Sequence, residues 1–408
     1  MSPTGEPERL LVRDLAQVVS SAGSELPLRG HALGEVEVVA DAYLLCEGGN
    51  VAAVGRMRDL PALDGEVEEL DGRGLCALPG LVDCHTHACF GGDRVQEFEL
   101  RAIGASYEEL HAAGGGILST VEATRAAGEE GLAAAVRRHR GWMRLAGTTT
   151  FEAKSGYGLD LETELASLRA IVAGGGVPTW LGAHAVPPEF EDADAYLDFA
   201  LTEVLPQAAR IAEAADVFLE RGAFSAAQAR RYLVACAEAG LGLRLHGDQF
   251  TESGAVPLAV ELGARSVDHL EATGREGILA LADSDVVGVL LPASALVLGR
   301  PMPPARALVD AGAAIALATD FNPGSSFCES LPLVCSLACT QLRLSPAEAL
   351  AACTVNAAHV LRRADRIGRL APGYQADAVL LDAPDWRYLA YHVGGPVVKT
   401  VLQAGRVA

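Results

Sequence analysis

Leu78-Pro-Gly-Leu-Val-Asp-Cys-His-Thr-His87 is an apolar, strand-like run that ends in two histidines spaced two residues apart. Along a strand, side chains at i and i+2 point to the same face, so both imidazoles of His85 and His87 can reach one ion. The same grammar recurs downstream. His246 closes the run Gly-Leu-Gly-Leu-Arg-Leu, His269 closes Ser-Val-Asp, and Asp320 follows Ala-Ala-Ile-Ala-Leu-Ala-Thr. Chemically loaded residues placed at the ends of strands are what a parallel (β/α) barrel presents at its C-terminal face.

Working outward, eight strand-like segments alternate with helix-like ones: Gly80–His85, Thr148–Ala153, Thr179–Ala183, Asp216–Glu220, Leu241–His246, Ser266–His269, Val286–Leu291 and Ala314–Thr319. Helices are expected over Leu161–Ile171, Tyr196–Arg210 and Ala226–Glu238. Ser225 with Gln228, and Ser345-Pro346 with Glu348, read as capping boxes. Both chain ends read instead as short strands and turns. At the N-terminal end these are Val36, Val38, Tyr43 and Leu45 around the turn at 47–50; near the C-terminus they are residues 376–382 and 397–402 after the turn 368–373. The expected class is therefore α/β: a (β/α)8 TIM-type barrel over residues 79–365, with a small β-sandwich domain assembled from 1–78 and 366–408.

A chain of 408 residues, half of them hydrophobic, has ample material for such a core. A net charge of -21 argues against nucleic-acid or anionic-membrane partners. The most apolar run, Val286 to Leu298, is too short to span a bilayer, and the Pro- and Glu-bearing start does not read as a signal peptide. Nine cysteines without CxxC spacing suggest reduced thiols in a cytoplasmic protein.

His85, His87, His246 and Asp320 combine three imidazoles with one carboxylate. That set suits one Zn2+ or Fe2+ and not the oxygen-loving Ca2+ or Mg2+. Taken singly, each of these histidines reads better as a hydrogen-bonded core or rim residue and the aspartate as a helix cap; it is the shared position at strand ends that joins them. His269 is a candidate to polarise a carbonyl or bond the ion's water, or else a packed histidine bonded to Asp268. Lys154, after the second strand, is expected to be structural or electrostatic, and the Gly114–Gly116 run to form a mobile loop over the site.

With these residues in place, the chain resembles the amidohydrolase superfamily and, along nearly its whole length, is similar to the imidazolonepropionases of histidine breakdown. The stretches that carry the resemblance are His-Thr-His-Ala-Cys-Phe-Gly-Gly-Asp-Arg (85–94), Glu-Phe-Glu-Leu-Arg (97–101), Gly-Gly-Gly-Ile-Leu-Ser-Thr (114–120), Lys-Ser-Gly-Tyr-Gly-Leu-Asp-Leu-Glu-Thr-Glu (154–164), Gly-Ala-His-Ala-Val-Pro (182–187) and Ala-Thr-Asp-Phe-Asn-Pro-Gly-Ser (318–325). It implies hydrolysis of 4-imidazolone-5-propanoate to N-formimidoyl-L-glutamate by hydroxide that the metal supplies. His85, His87, His246 and Asp320 would be the ligands. Arg94, Tyr157, His184, Gln249, Asn322, Gly324 and Ser325 would bind a small substrate bearing a carboxylate. A homodimer is implied as well. Arg94 can fork onto a carboxylate through two parallel hydrogen bonds, which a lysine cannot imitate.

Gln249 stands three residues after His246, where many relatives carry a proton-shuttling Glu. An amide cannot titrate, so the resemblance then leaves proton transfer to Asp320 with His269. Two rivals share the metal set: another amidohydrolase activity, such as deamination of a purine-like ring or opening of a different lactam, and metal binding without catalysis.

Overall fold

The computed structural model describes residues 9–23, 26–104 and 116–408; Gly114 and Gly115 of the expected loop lie outside them. The N-terminal part contributes β1 (Arg9–Ser21), β2 (Val36–Glu47), β3 (Asn50–Arg56), β4 (Glu68–Asp71) and β5 (Cys76–Pro79). The barrel follows: β6 (Leu81–Asp83), β7 (Thr148–Lys154), β8 (Val177–Ala183), β9 (Ala214–Leu219), β10 (Gly242–Gly247), β11 (Ser266–His269), β12 (Val287–Leu290) and β13 (Ile315–Leu317). β14 (Ala378–Leu381), β15 (Val398–Gln403) and β16 (Arg406–Val407) return to the first part.

Strands β6 to β13 lie in sequence order in one parallel sheet, and helices occupy the connections. A parallel bridge between Thr86 and Phe321 joins its first and last members. Backbone bonds from Asp320 N to His85 O (3.1 Å) and from His87 N to Phe321 O (2.9 Å) sew this seam at the residues of greatest chemical interest. All eight expected strands are present, within about two residues.

The second sheet has eight strands, ordered β16-β15-β14-β5-β1-β2-β3, with β4 also paired to β1. Its members come from both chain ends. Alternate residues face opposite ways, as period two requires. Val18, Ala77, Ala378 and Leu380 join one apolar cluster, whereas Val19, Cys76, Leu78 and Val379 pack into the barrel's own core. β5 is separated from β6 by Gly80 alone, so the end-built sheet feeds straight into the strand that leads to His85. A Cβ on Gly80 would stand 2.2 Å from Oγ1 of Thr149, a branched side chain that cannot step aside.

Both capping boxes form, at Ser225–Gln228 and Ser345–Glu348. The helix expected over Tyr196–Arg210 starts earlier and is not uniform: α-helix over Ala193–Phe199, a π turn over Ala200–Val204, then α-helix over Leu205–Ala208. Pro206 explains this, because its missing N–H removes one i→i−4 bond. No helix among the described residues is long and apolar enough to cross a membrane. All nine cysteines are unbridged.

Candidate metal and substrate site

The barrel's C-terminal face gathers His85, His87, His246, His269 and Asp320, all buried. Single ligand atoms of His85, His87 and His246 lie within 4.8 Å of one another, as do those of His85, His269 and Asp320. Oδ1 of Asp320 is 3.5 Å from Nε2 of His85 and 3.4 Å from Nε2 of His87. Nε2 of His87 faces Nε2 of His246 at 3.2 Å.

The opposite ring atoms are anchored. Nδ1 of His85 lies 2.5 Å from Asp268, and Nδ1 of His246 lies 3.1 Å from Asp216. A carboxylate on Nδ1 fixes the tautomer and aims the Nε2 lone pair at the centre. Nε2 of His85 has no hydrogen-bond partner among the described residues. Two imidazole nitrogens facing each other, a third without a partner and a carboxylate beside them make a donor set that a divalent ion fits. Burial pushes His246 down to about 4 despite Asp216, and lowers His87 as well, which keeps their lone pairs free. Burial would also raise Asp320, but the close imidazoles of His85 and His87, at 3.5 and 3.4 Å, and the charge of His269 hold it well below the usual carboxylate range. For His269, burial is outweighed by Glu271, 3.5 Å from its Nδ1, and by Asp320 and Asp268, so its pKa is raised. His269 and Asp320 both adopt left-handed backbone, with φ of 86° and 54°. Such conformations persist only where the surroundings enforce them.

A cavity of about 510 Å³ opens onto this cluster, and Arg94, Tyr157, His184, Gln249, Asn322, Gly324 and Ser325 all line it. His184 stacks on His87 with centroids 5.3 Å apart, and its Nδ1 is fixed by the carbonyl of Gly156 at 2.9 Å. Tyr157 lies beside both rings. Asn322 is occupied within its own loop: its side-chain oxygen accepts from Gly324 N (2.8 Å) and Ser325 N (2.7 Å), and its amide donates to Asp320 O (2.6 Å). It thus shapes the turn behind Asp320.

Arg94 is already engaged. Its Nε and Nη2 donate to Glu97 at 2.7 and 2.5 Å, while Nη1 lies against Gly324. Glu97 also accepts from Gly116 N at 2.8 Å and lies near Arg101, whose Nη2 donates to Gly324 O at 2.6 Å. Two guanidinium groups share one carboxylate, so this end of the cavity keeps a net positive charge.

Asp268 serves His85, not His269 as one sequence reading had it. Sequence reasoning did not assign roles to Asp216, Glu152, Arg244, Glu97 or Glu271. For two of them a signal was present: Asp216 and Arg244 are charged residues flanked by apolar neighbours in their strands, where a charge is rare unless paired.

Residues 76–407 match the model of the Amidohydrolase family, so fold and site together define an amidohydrolase. The chain is 62% identical over 406 residues to the imidazolonepropionase of Rubrobacter xylanophilus, covering 97% of each chain. It is 47% identical to that of Herpetosiphon aurantiacus, covering 97% of this chain and 96% of the other. It belongs to the imidazolonepropionase family. Solved structures share the fold at lower identity. They include an adenosine deaminase from Xanthomonas campestris with bound zinc (TM-score 0.71, 20% identity, 98% and 92% covered) and Escherichia coli guanine deaminase (TM-score 0.69, 15% identity, 99% of each).

Proposed function

We propose that the site hydrolyses the ring amide of 4-imidazolone-5-propanoate, giving N-formimidoyl-L-glutamate. The supporting observation is one cavity with two unlike ends: an Nε2- and carboxylate-lined metal centre at the floor, and Arg94 with Arg101 near the mouth. A cyclic amide carrying a carboxylate has the matching polarity.

A divalent ion held by His85, His87, His246 and Asp320 would lower the pKa of water toward ~7 and supply hydroxide at neutral pH; Zn2+ and Fe2+ both accept this ligand set. Asp320, kept ionised, accepts the water's proton. His269, held beside Glu271, donates a hydrogen bond to the ring carbonyl oxygen as negative charge develops there. Asp320 then delivers the proton to the departing ring nitrogen. Arg94 holds the propionate through the guanidinium edge that Glu97 leaves free, and Tyr157, His184 and Gln249 flank the ring. Gln249, being an amide, orients without exchanging protons. The same reading carries a cytoplasmic homodimer without nucleic-acid or membrane partners, and two units, 79–365 and the paired ends 1–78 and 366–408.

Absorbance decay of fresh imidazolone propionate tests it. Wild-type protein loaded with Zn2+ or Fe2+ should consume the compound. His246→Ala should abolish decay through loss of metal, and Arg94→Ala should raise KM far more than it lowers kcat. No decay with metal-loaded wild type, or ammonia release without ring opening, sinks the assignment.

A further inference from the structure

Beneath the candidate metal centre lies a continuous chain of buried ionic contacts, from Asp216 through Lys154, Glu152 and Arg244 to Asp268. Nζ of Lys154 reaches Oε1 of Glu152 at 2.7 Å and Oδ2 of Asp216 at 2.9 Å. Arg244 reaches the same Glu152 oxygen at 3.3 Å and Oδ2 of Asp268 at 3.0 Å. Asp216 and Asp268 are the carboxylates on Nδ1 of His246 and His85. Glu152 also accepts from the backbone N of Thr86, between the first two histidines, at 3.0 Å. The side chains of Lys154, Glu152, Asp216 and Asp268 are 0% exposed and that of Arg244 1%, so water compensates none of these charges.

We propose that Lys154 and Arg244 are positioning residues for metal retention: through Glu152 they tie Asp216 and Asp268 into one rigid brace that aims Nε2 of His246 and of His85 at the same point. The proposal rests on the metal reading above and deepens it.

Geometry explains why two cations are needed. Each histidine-anchoring carboxylate has one oxygen engaged in the brace: Asp216 offers Oδ1 to His246 and Oδ2 to Lys154, while Asp268 uses Oδ2 for both His85 and Arg244. Without Lys154, His246 itself is all that holds Asp216 among these contacts. Charge points the same way. Glu152, Asp216, Asp268 and Asp320 bring four negative charges and the two cations cancel two, leaving a balance that a divalent ion neutralises.

The test compares wild type, Lys154→Met, Asp216→Asn and the double variant, read by Zn2+ affinity in competition with a chelator and by thermal unfolding of the metal-free proteins. Lys154→Met should weaken Zn2+ binding about 10- to 100-fold, the usual range for removing a group that orients a ligand. Because the shortest route from Lys154 to a histidine runs through Asp216, the lysine's effect should be smaller on the Asp216→Asn background than on wild type. A merely structural lysine would lower the metal-free melting temperature and leave the affinity of the folded protein unchanged. Should Lys154→Met not fold, Arg244→Met, which removes the other cation of the brace and leaves both histidine-anchoring carboxylates in place, decides: affinity equal to wild type overturns the brace, and an about 10- to 100-fold loss supports it. Lys154→Met affinity within twofold of wild type, or losses that multiply in the double variant, would also overturn it. Failure of wild type itself to bind Zn2+ would instead refute the metal reading.

Discussion

A Cβ at Gly324 would stand 2.2 Å from Nη1 of Arg94 and 2.9 Å from its Cζ. The glycine is needed for that close approach. Gly324→Ala should therefore push the guanidinium off its seat on Glu97 while leaving the metal centre, at the other end of the cavity, untouched. KM for imidazolone propionate should rise about tenfold, equivalent to about 1.4 kcal/mol of carboxylate binding, with kcat and zinc content unchanged. Steady-state kinetics beside metal analysis checks this, and an equal fall in kcat would mean that the loop, and not Arg94, had moved. At this scale the sequence shows ligands better than their supports. His85, His87, His246 and Asp320 stand out because polar residues follow apolar strands. Glu97 does not, since a Glu in a helix reads as solvated surface until the fold sets it between Arg94, Arg101 and Gly116.

The Ile117–Leu145 helix, broken by non-helical Gly128, bears on the site through one histidine. His139 is buried, its Nδ1 is 2.8 Å from the carbonyl of Ala88, and its ring stacks on Phe90 at 4.5 Å. Ala88 directly follows His87, so this contact pins the segment that presents the first two histidines. Burial pushes His139 down from 6.5 to about 4. A histidine with a depressed folded pKa binds fewer protons than it does in the unfolded chain. Its contribution is thus fully present above pH 6.5 and lost as pH falls toward 4, at up to about 1.4 kcal/mol per pH unit. His139→Phe should flatten that slope. Urea unfolding of metal-free wild type and variant between pH 4.5 and 7 measures the difference, to which histidines common to both contribute nothing; parallel slopes would refute it. Element identity was legible where periodicity and caps agreed, as at Ser225–Gln228. The π turn at 200–204 was not, because a helical hydrophobic pattern does not register the single donor that Pro206 lacks.

The two sheets are joined by more than a linker. Gly80 is the single residue between β5 and β6, and its N–H donates to the carbonyl of Asp377 at 2.8 Å, just before β14. β14 pairs antiparallel with β5 on one side and β15 on the other. Leu402 of β15 is fully buried opposite Ala378, in the cluster that includes Ala77 of β5. Loosening the chain's last strands therefore loosens the strand that leads to His85 and His87. That both ends carry strands was readable from their turns and short apolar runs; that β5 pairs with β14 in particular was not, because partners about 300 residues apart leave no local signal. Leu402→Ala, far from the cavity, should cost about 2–5 kcal/mol as a large-to-small core change. It should shift a single cooperative transition, because Val19, Leu78 and Val379 of the end-built sheet pack in the same core as barrel residues Leu81, Trp180 and Leu317. Far-UV circular dichroism and tryptophan fluorescence should move together, with the midpoint for Zn2+ release shifted alongside them. An early transition of the end-built sheet that left zinc bound and the barrel's midpoint in place would show the two units to be energetically independent.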